Sequence, residues 1–152
     1  MKNILDMTIP EIVDTIQHRR LNICVIGIGR IGLPTALSFA NSGLPTIGVD
    51  INEKLVEMIN SGNFPLNDEP GYDIIFDNVV SENKFRSTTN FIDGINSSDV
   101  IILSLPTPMN DKNIPDYSAL FSVAKKLHEE LSDRKLIIVE STVEPGFIEN
   151  EF

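Results

Sequence analysis

Two hydrophobic rhythms alternate along the chain, and the points where one gives way to the other mark its elements. Ile9, Ile12, Val13 and Ile16 recur at helical spacing, and Thr8-Ile9-Pro10-Glu11 places Thr and Glu at capping-box spacing with Pro in the first turn. A short helix is expected to about His18. From Asn22 the rhythm changes to Ile23-Cys24-Val25-Ile26, a continuous apolar run of the kind a strand buried on both faces shows, and glycines follow at once. A helical stretch from about Ile31 to Ser42, closed by Gly43, leads into Thr46-Ile47-Gly48-Val49-Asp50, which reads as a second strand. Strand, helix and strand in that space form a βαβ unit.

The alternation continues. Asn52 is placed to cap a helix through about Ile59, and Ser61 to Gly71 is dense in turn formers, which predicts an ordered surface loop. A helix near Tyr72–Val80 and a weak strand at Phe85–Thr88 follow. Val100-Ile101-Ile102-Leu103-Ser104 is a strong strand that runs into Pro106-Thr107-Pro108. Asp116 is expected to cap a helix to about Leu131, with Leu120, Val123, Ala124 and Leu127 on one face, and Leu136 to Glu140 makes the next strand. The fold class is therefore α/β, a Rossmann-type doubly wound parallel sheet. Ile148 to Phe152 read as the opening of a helix toward a sixth strand. The sheet is thus expected to lack its last strand and to leave the fifth on an exposed edge.

Composition narrows the classes of partner. The chain has 152 residues, and 41% of them are hydrophobic, enough for one globular domain with a real core. Twenty-two acidic against twelve basic side chains give a net charge of −10, so there is no basic stripe to release counterions from DNA or RNA. No nucleic-acid partner is expected. The same acidity does not exclude a dinucleotide, because backbone N–H groups and a helix N-terminus can hold a pyrophosphate without any lysine. The single cysteine, Cys24, excludes an internal disulfide and a multi-cysteine zinc site, and no metal is expected. No apolar run approaches the ~18–20 residues that span a bilayer, so a cytoplasmic protein with no membrane partner is the expectation. His18, Arg19 and Arg20 fit a helix terminus better than a phosphate-binding cluster.

The candidate chemistry starts directly after the first strand. Gly27-Ile28-Gly29-Arg30-Ile31-Gly32 is a G-x-G-x-x-G run between a strand and a helix, the context that raises this pattern above chance. Gly27 permits the tight turn, Gly29 lets backbone approach a pyrophosphate, and Gly32 lets helix and strand pack closely. Asp50 closes the second strand about 20 residues further on, where a carboxylate accepts from ribose hydroxyls and repels a 2′-phosphate. The cofactor expected is NAD rather than NADP, although the Arg30 guanidinium could also meet a phosphate. Ligands in open α/β sheets bind at the carboxyl ends of strands, and there lie Leu105-Pro106-Thr107-Pro108 and Glu140-Ser141-Thr142-Val143-Glu144-Pro145-Gly146.

With these motifs in order, the chain resembles the UDP-glucose/GDP-mannose dehydrogenase family from about Asn22 to Gly146. The resemblance rests on the glycine run through Pro34, Gly48 to Asn52, Asn60 to Pro65, Glu69, Pro106 to Pro108, Pro115-Asp116-Tyr117, and Ser141-Thr142-Val143-Glu144-Pro145-Gly146. Its details are most similar to the branch that acts on UDP-N-acetylmannosamine. The resemblance implies oxidation of the C6 hydroxymethyl group of a nucleotide sugar to a carboxylate with two NAD, for polysaccharide biosynthesis. By it, Gly27 to Gly32 and Asp50 hold the ADP half of NAD, Pro106, Thr107, Pro108, Ser141 and Thr142 line the nicotinamide side, and Thr142 helps position a catalytic water.

Arg30 stands where the family usually has an aromatic, Tyr72 where the loop often has Leu, and Phe147 where Thr commonly follows the last Gly. The family's nucleophilic cysteine lies far downstream, and Cys24, inside the first strand, reads as a small buried hydrophobe instead. The expected organisation is a helical extension over 1–20 and a cofactor domain over 21–152. The nucleotide sugar would be reached only through downstream domains, and a homo-oligomer is possible in the family's manner. A nucleotide-sensing domain of the potassium-transport type, supported by Arg30, and a β-hydroxyacid dehydrogenase domain are the alternatives.

Overall fold

A computed structural model describes residues 2–66 and 68–152. The two strongest apolar runs lie side by side at its centre. β1 (Ile23–Ile26) pairs in parallel with β2 (Thr46–Val49) on one side and β4 (Val100–Leu103) on the other, with Ile23 opposite both Thr46 and Val100. β3 (Phe85–Thr88) pairs with β2, and β5 (Leu136–Val139) pairs with β4. The order β3-β2-β1-β4-β5, all parallel, is the doubly wound arrangement that the alternation predicts.

Every residue of β1, β2 and β4 is buried, which is why these strands read as unbroken apolar runs. Their side chains divide by the two-residue period. Ile23, Val25, Val100 and Ile102 join one core with Leu33, Ala36 and Leu37 of α2 (Gly32–Asn41) and Phe76 and Val79 of α4 (Tyr72–Ser81). Cys24, Ile26, Ile101 and Leu103 join the other, with Ile95 of α5 (Phe91–Asn96), Leu120 and Leu127 of α6 (Ser118–Glu130) and Phe147 of α7 (Phe147–Asn150). Both edge strands are more open than the central three, and β3 carries the weaker signal. In β3 Phe85 and Ser87 are buried while Arg86 faces out to Asp93, and in β5 Ile138 is 42% exposed.

The helix ends follow local chemistry. Asn52 accepts from the Leu55 N–H at 3.2 Å and opens α3 (Glu53–Asn60). Gly43, at φ 94°, ends α2 with N–H bonds from Gly43 to Ala40 and from Leu44 to Phe39. The loop of 61–71 is anchored by Phe64 and Leu66 against the first core, with the Phe64 and Phe76 rings 5.5 Å apart; Asn67 of that loop lies outside the described residues.

Three features depart from the sequence expectation. α2 begins at Gly32 rather than Ile31, its uncapped start being occupied by the glycine turn. Asp116 sits one residue before the cap position: its carboxylate accepts from the Ser118 N–H at 2.9 Å, and Tyr117 is the residue at the cap. α5 was not expected, since six residues containing Gly94 carry too little helical period to read. Gly94 is there for packing, as a Cβ on it would lie 2.3 Å from Cγ2 of Val49. α1 (Ile9–Gln17) is the first helix expected; its apolar stripe stays largely on the surface, with Ile9 78% exposed, while Ile12 packs against the first core and Thr15 is buried.

His18 and Arg20, at the end of α1, both contact Asp14. Both side chains are thus taken up locally, by a carboxylate of the last turn of α1. At the other end, the Glu11 carboxylate accepts from the Thr8 N–H at 2.6 Å and lies 3.0 Å from the Lys2 ammonium. The Thr8 N–H, then Lys2, pull its pKa from 4.5 down to about 2. A depressed carboxylate contributes stability above its unfolded pKa and loses it as pH falls through the folded one. The start of α1 should therefore fray between about pH 4.5 and 2 while the sheet stays ordered. Side-chain carbon NMR of Glu11 should titrate near 2, and a midpoint above 4 would contradict the contact.

Candidate functional site

The direction of winding reverses between β1 and β4, and the glycine turn lies at the carboxyl ends of these two strands. Gly27 has φ +88° and donates its N–H to Val49 O at 2.8 Å, so β1 ends in a left-handed turn still bonded to β2. A Cβ on Gly27 would lie 2.5 Å from Ser104 O, and one on Gly32 would lie 1.8 Å from Gly27 O. Three backbone segments thus meet where no side chain fits. Gly29 is different: a Cβ there would meet nothing within 4 Å. The space beside it is open.

Asp50 fixes this turn. Its Oδ2 accepts from the Ile28 N–H at 3.0 Å and its Oδ1 from the Asn52 N–H at 2.9 Å, while the Ile28 side chain is fully buried. A carboxylate has about four lone-pair sites, so these two bonds leave others for a ligand. The scaffolding half of this role escapes the sequence pattern. No signal in the sequence marks it, because it depends on which turn amides the tertiary structure leaves without partners.

Beyond Ile28, the N–H groups of Gly29, Arg30 and Ile31 donate to no protein acceptor among the described residues. Ile31 stands at the α2 cap position and offers no side-chain cap. Bare amides, an uncapped helix start and open space above a glycine are what a pyrophosphate needs. Arg30 points its charge elsewhere: its guanidinium pairs with Asp68 at 2.8 Å and Glu69 at 3.3 Å.

The two later motifs meet at the ends of β4 and β5. Ser141 Oγ accepts from the Leu105 N–H at 2.8 Å and donates to Leu103 O at 3.3 Å, holding the exit of β4 against that of β5. Thr142, next to it, is exposed, Thr107 is half-buried, and Pro106 and Pro108 are exposed. Asp116 donates its N–H to Pro108 O at 2.8 Å, and the Tyr117 hydroxyl accepts from the Glu144 N–H at 3.3 Å. The Pro-Asp-Tyr segment thereby bridges both motifs. Thr35, which sequence reasoning passed over, donates from α2 to Glu140 Oε1 at 2.7 Å.

Asp50 and Thr142 are not brought together. They leave β2 and β5, three strand spacings apart, or roughly 14 Å. That separation suits an extended ligand lying across the strand ends. Cys24 takes no part: it is fully buried, and burial pushes its thiol up to about 12. Among the described residues no helix is long and apolar enough to cross a membrane.

Residues 21–152 match the family model for the NAD binding domain of the UDP-glucose/GDP-mannose dehydrogenase family. The UDP-N-acetyl-D-mannosamine dehydrogenase of Campylobacter jejuni is 38% identical over 128 residues, covering 84% of this chain and 30% of the relative. The solved UDP-D-ManNAc dehydrogenase of Pyrococcus horikoshii superposes with a TM-score of 0.77 at 36% identity, covering 85% of this chain and 30% of that one. The GDP-mannose dehydrogenase of Pseudomonas aeruginosa gives a TM-score of 0.79 at 28% identity, covering 84% and 30%. The chain therefore spans about 30% of the length of these relatives.

The glycines separate fold from binding. Gly32→Ala forces a Cβ onto backbone, and should cost about 2 kcal/mol or more and lower Tm by roughly 5–10 °C. Gly29→Ala has room and a φ that alanine adopts, so stability should stay within about 1 kcal/mol. It should nevertheless weaken NADH binding at least tenfold, about 1.4 kcal/mol. Thermal melts and calorimetry on the two variants check this, and equal NADH affinity in Gly29→Ala and the parent would remove the cradle.

Proposed function

The chain belongs to the UDP-glucose/GDP-mannose dehydrogenase family, as its NAD-binding domain, and we propose that it serves as the cofactor half of a nucleotide-sugar 6-dehydrogenase. The parent reaction is oxidation of a sugar C6 hydroxymethyl group to a carboxylate with two NAD, acting on an amino sugar of the UDP-N-acetylmannosamine type. NAD supplies the hydride acceptor for each oxidation. The observation that carries the reading is the bare cradle at Gly29, with Asp50 fastening its rim through the Ile28 N–H.

In this reading the amides of Gly29, Arg30 and Ile31 hold the pyrophosphate at the start of α2. Gly27 and Gly32 shape the turn, and Ile28 anchors it. Asp50 uses its remaining lone pairs for the adenosine ribose hydroxyls and repels a 2′-phosphate. Pro106, Thr107 and Pro108 line the nicotinamide side, and Ser141 holds that wall in place by its bonds to Leu103 and Leu105. The exposed Thr142 hydroxyl is the group for positioning a water. The reading places the protein in the cytoplasm and assigns nucleotide-sugar recognition, the cysteine chemistry and any homo-oligomer contact to the parts of the relatives that this chain does not match.

The nucleotide-sensing alternative rested on Arg30 at its position in the glycine run. That guanidinium is engaged by Asp68 and Glu69. The long loop that carries these acids is itself part of the dehydrogenase pattern.

Calorimetry at millimolar ligand should show NADH binding, NADPH binding at least tenfold weaker, and a Tm that rises with NADH concentration. Asp50→Asn removes the charge that repels a 2′-phosphate and one strong acceptor. It should weaken NADH about tenfold and narrow the gap to NADPH. Incubation with NAD and UDP-N-acetylmannosamine should yield no NADH. A folded sample that gives no heat with NADH would end the proposal.

A further inference from the structure

Arg30 is the one cation in the glycine turn, two positions before the first residue of α2. A guanidinium so placed, beside amides with no protein partner, would ordinarily serve as a bidentate phosphate ligand. Here it is already occupied. One nitrogen lies 2.8 Å from Asp68 Oδ2 and another 3.3 Å from Glu69 Oε1. Both acids come from the loop between α3 and α4, so a distant stretch of chain supplies the charge that answers Arg30.

We propose that Asp68 and Glu69 are specificity-determining residues, which by holding Arg30 lower the phosphate charge that the cofactor site accepts. The inference rests on the cofactor reading above. Arg30 with its two acids sums to one negative charge, and Asp50 adds a second near the same turn. NADPH brings roughly two more negative charges than NADH, as any phosphate monoester does near neutral pH. Fixed charges act over a Debye length of roughly 10 Å at 0.1 M salt, so the acids need not touch the extra phosphate to oppose it. Asp50 would then discriminate by contact, and the acid pair by field and by withholding the one cation of the glycine turn.

The geometry supports a lasting pair. The hydrogen bond from Arg30 holds the Asp68 carboxyl below its ordinary range, which favours the charged form that the pair needs. All three side chains are at least a third exposed, to 65% for Arg30. Pairs so exposed contribute little to folding, which makes them safe to change.

The test compares the full chain with D68N/E69Q, R30Q and the triple variant, by calorimetry with NADH and NADPH at low and high salt, after melts confirm folding. D68N/E69Q should lower the ratio of the NADPH Kd to the NADH Kd at least fivefold, and high salt should erase most of that change. R30Q should raise the ratio. Adding R30Q to the double variant should return most of the gain, showing that the gain runs through the freed guanidinium. A ratio within twofold of the parent in D68N/E69Q overturns the proposal while leaving NADH binding intact. Absence of NADH binding in the parent overturns the cofactor reading instead, so the two failures are distinguishable.

Discussion

A Cβ on Gly32 would lie 1.8 Å from the carbonyl oxygen of Gly27, and one on Gly27 would lie 2.5 Å from that of Ser104. The end of β1, the start of α2 and the end of β4 therefore cross at a point where only backbone fits. Much else is arranged around this crossing. α2 can lie close enough to the sheet to bury Leu33, Ala36, Leu37 and Ala40 completely. With the helix that close, its first amides open onto the crevice where the winding reverses. A bulkier residue at position 32 would lift α2, and both the core and the anion site would be lost together.

The crossing leaves the turn with unpaired amides, and the chain treats them in two ways. Ile28 is drawn inward: its side chain is buried, and its N–H bonds to Asp50. Gly29, Arg30 and Ile31 stay bare. One carboxylate thus fixes the boundary between backbone used for structure and backbone reserved for a ligand. At the other end of the crevice Ser141 does similar work, joining the exits of β4 and β5 so that Thr142 and Thr107 stand on a held wall. Both residues belong to the proposed site, and both spend part of their hydrogen-bonding capacity on the scaffold.

The central sheet was legible in the sequence because β1, β2 and β4 are buried on both faces, so that burial and apolar composition coincide residue by residue. The glycine turn was legible because a left-handed φ and a close approach each demand glycine. α5 was illegible for the opposite reason: six residues, one of them Gly94, cannot display a helical period, and only tertiary contact with Val49 explains them. The stripe of α1 reported a helix but not which face the fold covers, and most of it lies on the surface. The second duties of Asp50 and Ser141 were hidden because they depend on which N–H groups the tertiary structure leaves without partners. Motif spacing carries no record of that.

A protein with ten net negative charges binding a dinucleotide looks like a conflict, and the site shows how it is resolved. Net charge acts over a screened distance, whereas backbone dipoles act at contact, so a helix start and three bare amides outweigh a diffuse field. The acids are then free to serve selection. In the proposed site Asp50 accepts from ribose hydroxyls and repels a phosphate, and Asp68 and Glu69 pair with the one guanidinium of the turn. Attraction comes from neutral backbone and discrimination from charged side chains. Under that proposal the affinity for NAD is set by the turn, while its distinction from NADP is adjusted in a loop about forty residues away.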